Sequence, residues 1–302
     1  MRNGQSIQEL LEEFSAVKDY GLHSVLRQAR ARGAEFDLER SVRLESSGVF
    51  PLRLLVSFEH EAFHQAFSPD VFLPCTWMNM PEGSLDRLKT FFAKAWRIHF
   101  GWEQGVRGWI GKMYIELRPR QVVSHDPATS DRFEPGQLLF LGYKWPLDGQ
   151  GSGVVSKYKI LAHLPAKEAL ARWKQSLGTI SHGSEPGAVS RLVERLSKRD
   201  LPMSPLLLLE VSDEGSPRVS HDINLYDLEQ SVESIQDELV ELTSMWSPSS
   251  VQQAWSAYLR SIADERLGHL ASGIDRNGSI FWTLYYGAIR VITREDSISE
   301  VQ

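Results

Sequence analysis

The stretch Trp109-Ile110-Gly111-Lys112-Met113-Tyr114-Ile115-Glu116-Leu117-Arg118 decides how the chain is read. Side chains along a β-strand alternate between two faces. Met113, Ile115 and Leu117 therefore share one face, and Lys112, Tyr114, Glu116 and Arg118 the other. One face needs an apolar layer, while the other sets a cation, a phenol and a carboxylate side by side.

The same split recurs on both sides of this stretch. Over 35–45, Phe36, Leu38, Val42 and Leu44 oppose Glu35, Asp37, Glu39, Ser41 and Arg43. The Ser46-Ser47-Gly48 turn returns the chain as 52–58, where Arg53 and Ser57 oppose Leu52, Leu54, Val56 and Phe58, so a hairpin is expected. Strands over 138–145 and 154–164 flank Asp148-Gly149-Gln150-Gly151. In the second, Lys157, Lys159 and His163 face one way and Tyr158, Ile160, Ala162 and Leu164 the other. The run 206–212 is apolar on both faces, which suits a strand buried between layers. Its partner, 218–226, puts Arg218, Ser220, Asp222, Asn224 and Tyr226 on one face and Val219, His221, Ile223 and Leu225 on the other. A final hairpin pairs 267–274 with 280–287 across Asp275-Arg276-Asn277-Gly278, where Asn-Gly favours a type I′ turn.

Helical spacing fills the intervals. Ser6 and Glu9 form a capping box, and a second helix runs from Leu22 to Arg32 before Gly33. A short helix over 59–67 precedes a Pro-containing loop over 68–83. Leu85, Leu88, Phe91, Phe92 and Trp96 predict a helix from Ser84. Further helices are expected over 166–177, 186–198, 228–245 and 248–263. The segment 119–135 is polar and breaker-rich and reads as a mobile loop. The pattern makes an α+β chain, one unit over 1–292 with a polar tail over 293–302. Strands joined by short turns are antiparallel, and about nine such strands need helices on their apolar face alone. An open sheet would leave the polar face solvated; a closed one would make it a lumen ringed by helices, and sheets of this size tend to curl or close.

Composition removes several function classes. The 302 residues carry a formal net charge of -6, which argues against a nucleic-acid binder, since phosphate backbones attract basic surfaces. The single cysteine, Cys75, excludes an intramolecular disulfide and a cysteine zinc site. The N-terminal stretch 1–14 lacks an apolar leader segment, and no apolar run approaches the roughly 18 residues of a spanning helix, so a soluble, cytoplasmic chain is expected, without a membrane partner. His60-Glu61 with His64 is one residue too long for the HExxH zinc helix, and no P-loop, GxSxG or GxGxxG is present.

The helix-helix-strand-strand repetition, with polar and aromatic residues on inward strand faces, resembles the ABBA-type, or prenyltransferase-barrel, aromatic prenyltransferases. The segment 108–117 is similar to the strand that carries a diphosphate-binding lysine in soluble bacterial members. Trp282-Thr283-Leu284-Tyr285-Tyr286-Gly287 is similar to their Tyr-Tyr-bearing last strand. The resemblance covers most of the chain as architecture and these short segments as sequence. It implies an antiparallel β-barrel of repeated ααββ units with helices outside. It also implies a transferase moving a prenyl group from an allylic diphosphate to an aromatic small molecule or peptide, such as an indole, a tyrosine derivative or a phenol.

On that resemblance, Arg53, Lys112, Lys157, Lys159, Arg218 and Asn224, with Arg43 and Ser220, are the candidates for holding the diphosphate, which needs cationic and hydroxyl donors away from water. Tyr114, Tyr226, Trp282 and Tyr285 are the candidates for screening the allylic cation with their ring faces. Glu39, Glu116 and Asp222, with Glu35, are the candidates for holding the acceptor or taking its proton. No cofactor is required; magnesium is allowed, but there is no DDxxD cluster to hold it, and Asn224-Leu225-Tyr226-Asp227 is too short a spacing to replace one. Two other classes compete: a carrier that binds a small hydrophobic ligand without chemistry, and a protein-interaction domain whose polar strand faces are simply solvated.

Overall fold

The computed structural model describes residues 7–118, 133–151, 153–180, 186–197, 205–244 and 247–292. The capping residue Ser6, most of the 119–135 segment and the 293–302 tail lie outside them. Ten strands form one closed antiparallel barrel: β1 (Phe36–Glu45), β2 (Gly48–Glu59), β3 (Ala95–Gly105), β4 (Gly108–Leu117), β5 (Leu138–Pro146), β6 (Val154–Leu164), β7 (Leu206–Asp213), β8 (Val219–Asn224), β9 (Leu267–Ile274) and β10 (Ile280–Val291). Each strand pairs with its neighbours in sequence, and β1 closes the ring on β10 from Phe36↔Val291 to Glu45↔Phe281.

Helices α1 (Ile7–Glu13), α2 (Leu22–Ala31), α3 (His60–Phe67), α4 (Leu73–Trp77), α5 (Glu82–Phe92), α6 (Ala166–Ile180), α7 (Pro186–Ser197), α8 (Gln236–Ser244) and α9 (Ser249–Ser261) separate the hairpins. Between β4 and β5 the described residues hold no helix. The helices cover the outside because only that strand face is apolar enough to receive them. One core packs Leu22, Val25, Leu26 and Ala29 of α2 and Phe63 and Phe67 of α3 against Val56, Phe58, Phe100, Met113 and Ile115. The second packs Trp173, Leu192, Leu239 and Trp255 from α6 to α9 against Leu208, Ile223, Leu270, Trp282 and Leu284.

The barrel has one strand more than the sequence pattern suggests. Trp96 belongs to β3 and not to the helix after Ser84, because Arg97-Ile98-His99-Phe100-Gly101-Trp102-Glu103 alternates with a period of two. The last turn is also not type I′, which needs both central residues at positive φ. Only Gly278 is left-handed there, at φ 78°. Asp275 closes the loop by accepting hydrogen bonds from the N–H groups of Asn277 and Ser279 at 2.8 and 2.9 Å.

Strand β7 is not sandwiched between layers: Leu208 packs under helices while Leu207 and Leu209 line the lumen, so both faces are apolar for different reasons. Val219 does not pack under a helix either; it is exposed. Trp282 faces the helices, its ring 6.1 Å from that of Trp173 in a T-shaped contact, whereas Tyr285 on the same strand faces the lumen. Trp282→Ala is therefore expected to lower the unfolding free energy by about 3–5 kcal/mol. Tyr285→Ala should cost less, and equilibrium urea unfolding of both variants checks the facing.

Candidate active site

Strand register stacks the inward side chains in layers along the barrel axis. At the hairpin end Ser41 pairs with Arg53, Arg53 with Glu103, Lys112 with Lys144, and Thr283 with Arg43. One layer further in, His99 pairs with Tyr114, Tyr114 with Gly142, and Tyr285 with Ser41. Beyond these lie Asp37 opposite Ser57, Arg97 opposite Glu116, and Asn224 opposite His269. The result is a cavity of about 410 Å³ lined by Glu39, His99, Glu116, Asp222, Tyr226 and His269, among others. Beneath it is a smaller chamber whose wall carries the cations.

Five cationic side chains meet in that lower chamber: Arg43, Arg53, Lys112, Lys144 and Arg218. Glu103 receives both Arg53, at 2.7 Å, and Lys112. Arg218 donates to Asp213 at 3.0 Å, and Asp213 also receives Arg276 at 2.7 Å and the Ser156 hydroxyl at 2.5 Å. Arg43 pairs with Glu45 and lies 3.9 Å from the ring centre of Phe281. Among the described residues no carboxylate lies within ion-pair distance of Lys144. Like charges directly opposite on neighbouring strands repel, so Lys112 facing Lys144 is unfavourable unless an anion sits between them.

Proton affinities record this. Burial, then the Arg53 charge, depresses the Lys112 ammonium to about 7 from its usual 10.5, although Glu103 opposes the shift. Burial, then Arg218 and Lys112, holds Lys144 well below the usual lysine range. Burial raises the acids, yet Arg53, Lys112 and Lys144 together hold Glu103 well below the carboxylate range. Against the same burial, Arg218 leads the charges that hold Asp213 at about 2.

Aromatic rings crowd the junction of the two chambers, which share Arg53, Glu103, Lys112, Tyr158, Asp222 and Tyr285 in their walls. Tyr114 and Tyr158 make a T-shaped pair at 5.6 Å, and Phe140 lies 5.8 Å from both Tyr158 and His99. Gly142 makes room for this layer: a Cβ there would sit 2.8 Å from the Tyr114 ring. Tyr285 closes the opposite side, 5.7 Å from the His269 ring. Burial raises the Tyr158 phenol to about 12 and pushes Tyr114 and Tyr285 higher still, so all three stay neutral.

The upper chamber holds acid–base pairs. His269 Nδ1 meets Asp222 at 2.8 Å, His99 Nε2 meets Glu116 at 3.2 Å, and His99 Nδ1 meets Ser57 at 2.7 Å. Tyr226, in a 3-10 turn after β8, donates to Glu39. Burial raises the Glu39 carboxyl despite the nearby His269 and the Tyr226 hydrogen bond. Burial would lower His269, but Asp222 outweighs it and carries it up to about 9.

Of the sequence candidates, Arg43, Arg53, Lys112, Arg218 and Ser220 line the lower chamber, and Glu39, Glu116, Asp222, Tyr114, Tyr226 and Tyr285 line the upper one or the boundary. Five do not fit their expected places. Lys157 and Lys159 face outward, Lys157 in an ion pair with Glu214 at 3.0 Å and Lys159 exposed. In β6 it is Ser156 and Tyr158 that point inward, and a bulge between Ile160 and Ala162 returns Ala162 to the helix side. Trp282 is core, as described. Asn224 lines the upper chamber and not the lower one, and its Oδ1 accepts the Tyr226 N–H at 3.1 Å. Glu35 is exposed ahead of β1. The sequence reading missed Glu103, Lys144, Tyr158, His99, His269 and Asp213. Lys144 shares parity with Phe140 and Gly142, opposite Leu141, Tyr143 and Trp145, a signal that was available; the histidines become site residues only through cross-strand register.

Among the described residues no group of three His, Cys, Asp or Glu side chains is placed to hold a metal ion, and no helix is long and apolar enough to cross a membrane. No protein-family profile matches the chain. No curated protein matches it in sequence. Solved structures do match. The prenyltransferase PriB with product diphosphate superposes with a TM-score of 0.51 at 14% identity, covering 83% of this chain and 79% of that one. The 5-dimethylallyltryptophan synthase from Streptomyces coelicolor gives 0.52 at 14%, covering 82% and 80%. The 6-dimethylallyltryptophan synthase from Micromonospora olivasterospora, in complex with DMASPP and Trp, gives 0.51 at 11%, covering 94% and 98%. The fold is that of the ABBA aromatic prenyltransferases.

The depressed Lys112 ammonium gives a test with a definite sign. Between about pH 7 and 10.5 the folded chain leaves Lys112 neutral while the unfolded chain protonates it. Stability rises with pH wherever the unfolded state binds more protons. The protein should therefore gain stability from this site across that window, and below pH 7 should carry the full cost of the buried charge. Lys112→Met should show a smaller rise than the parent when urea midpoints are compared from pH 6.5 to pH 10.

Proposed function

We propose that this protein transfers a prenyl group from an allylic diphosphate to an aromatic acceptor. The observation that carries the reading is the order of layers in one closed lumen: crowded cations, then neutral tyrosines, then carboxylates. That order matches the order of charge along the reaction. The leaving diphosphate sits among Arg43, Arg53, Lys112, Lys144 and Arg218, with the Ser220 hydroxyl as a neutral donor. Its negative charge relieves the repulsion between Lys112 and Lys144, so binding recovers part of what burying them costs. The countercharge comes from these side chains, and the reading requires no cofactor.

As the carbon–oxygen bond to diphosphate breaks, the allylic cation forms against the faces of Tyr114, Tyr158 and Tyr285. Ring faces attract a cation through their quadrupole, and neutral phenols high in pKa do not trap it as a phenolate would. The acceptor lies in the upper chamber, its N–H or O–H donated to Glu39 or Asp222, which holds the ring carbon toward the cation. Orientation of this kind supplies much of the rate in two-substrate reactions.

The acceptor is an indole, a tyrosine derivative, a phenol or an aromatic residue of a peptide. Indoles come first, because PriB has been solved with L-tryptophan and dimethylallyl thiolodiphosphate, and the 6-dimethylallyltryptophan synthase with DMASPP and Trp. We place the reaction in the cytoplasm, in the modification of aromatic metabolites.

Mass-spectrometric screening with dimethylallyl and geranyl diphosphates against indoles, tyrosines and phenols tests the activity; prenylated products are expected, and binding of acceptors without product would favour a carrier. The site assignment has its own test. A charge-assisted contact contributes about 1.5–3 kcal/mol, so Lys112→Ala and Lys144→Ala should each weaken dimethylallyl thiolodiphosphate by roughly 10- to 100-fold. Lys157→Ala and Lys159→Ala, on the outer face of the same barrel, should leave its affinity unchanged.

A further inference from the structure

One constellation in the upper chamber is left unused by the prenyl-transfer reading. Ser57 on β2, His99 on β3 and Glu116 on β4 form a continuous chain across three adjacent strands: Ser57 Oγ to His99 Nδ1 at 2.7 Å, and His99 Nε2 to Glu116 Oε2 at 3.2 Å. Ser57 and His99 are each 6% exposed, and all three line the cavity. The hydrogen-bond directions follow from chemistry. A carboxylate only accepts, so Nε2 of His99 carries the hydrogen toward Glu116; in the neutral imidazole Nδ1 is then an acceptor, and Ser57 donates to it. This leaves the Ser57 lone pairs for the cavity, with a base behind them and a carboxylate behind the base. The His99 ring lies 5.8 Å from Phe140 and 6.5 Å from Tyr114, at the boundary where the new carbon–carbon bond would form.

We propose that Ser57, backed by His99 and Glu116, is the relay that removes the proton from the prenylated ring. The inference rests on the prenyl-transfer reading. When the allylic carbon bonds to the arene carbon, the ring becomes an arenium cation and must lose the proton on that carbon. The proton passes to Ser57 Oγ while the Ser57 hydroxyl proton passes to His99 Nδ1, and the C–H electron pair returns to the ring. His99 becomes an imidazolium stabilised at Nε2 by Glu116, and it is reset by giving its proton to water or to the departing diphosphate. Atoms and charge balance without any further reactant. Ser57 is the catalytic residue; His99 and Glu116 act through it and are positioning residues. The other histidine of the chamber suits this task less, because Asp222 keeps His269 protonated at neutral pH.

The test is a kinetic isotope effect with ring-deuterated indole, tryptophan and tyrosine and dimethylallyl diphosphate. In the parent the relay keeps proton removal fast, so no primary isotope effect is expected. In Ser57→Ala and in His99→Gln, turnover should fall several-fold and a primary isotope effect should appear, because proton removal becomes limiting. Glu116→Gln should shift the same way by less. Unchanged circular dichroism and unchanged binding of dimethylallyl thiolodiphosphate would show that each variant keeps the fold and the cationic chamber; if Ser57→Ala does not fold, His99→Gln carries the test alone. Variants that turn over at the parent rate, or that slow without an isotope effect, overturn the relay and leave the transfer reading standing. A parent that prenylates none of these acceptors overturns both.

Discussion

Two lysines face each other inside a closed barrel, and much of the site's architecture answers that conflict. Lys112 and Lys144 are cross-strand partners, crowded by Arg53 and Arg218, and only part of the charge is matched by Glu103 and Asp213. An arrangement of this kind is costly in an empty protein, since unpaired buried charge is destabilising. Its cost is accepted in the sense that a bound anion would remove it. Burial first, and then this crowding, depress the lysine proton affinities, and an anion bound there would raise them.

Such a site exists only because the sheet closes. The residues that build it come from Arg43 near one end of the chain to Tyr285 near the other, and the β1–β10 pairing brings them together. Helices pack outside because the inward faces are already committed to polar groups, and the two apolar cores hold the strands in register against the electrostatic load. A slip of one residue in any strand would exchange its inward and outward sets. That makes the apolar outer faces, with Trp282, Met113 and Ile115 among them, the determinants of where the cations stand.

Much of this was legible in the chain. In β1, β2, β4 and most of β8, one face is apolar and the other polar, so alternation alone separates core from lumen. In β6 it fails, because the outer face near Lys157 and Lys159 is solvated while the lumen takes Tyr158 and Ile160; alternation sorts two sets but does not say which is inside. Trp282 and Tyr285 are three residues apart, so alternation already forbade them from sharing a face. Strand β3 was hidden by Phe91, Phe92 and Trp96, whose spacing continues a helical stripe across a real boundary. The pairs Asp222–His269 and Glu116–His99 depend on register between strands, which no single segment encodes.

We propose that the lower chamber is an oxyanion site whose lysines stay partly deprotonated until it is filled. Calorimetric titration of dimethylallyl thiolodiphosphate at pH 8.5, in buffers of different ionisation heat, measures it directly. Tight binding with net proton uptake, reduced in Lys112→Arg, is expected, because the anion raises the proton affinities of Lys112 and Lys144. Absence of binding, or binding with no proton uptake in the parent, would contradict it.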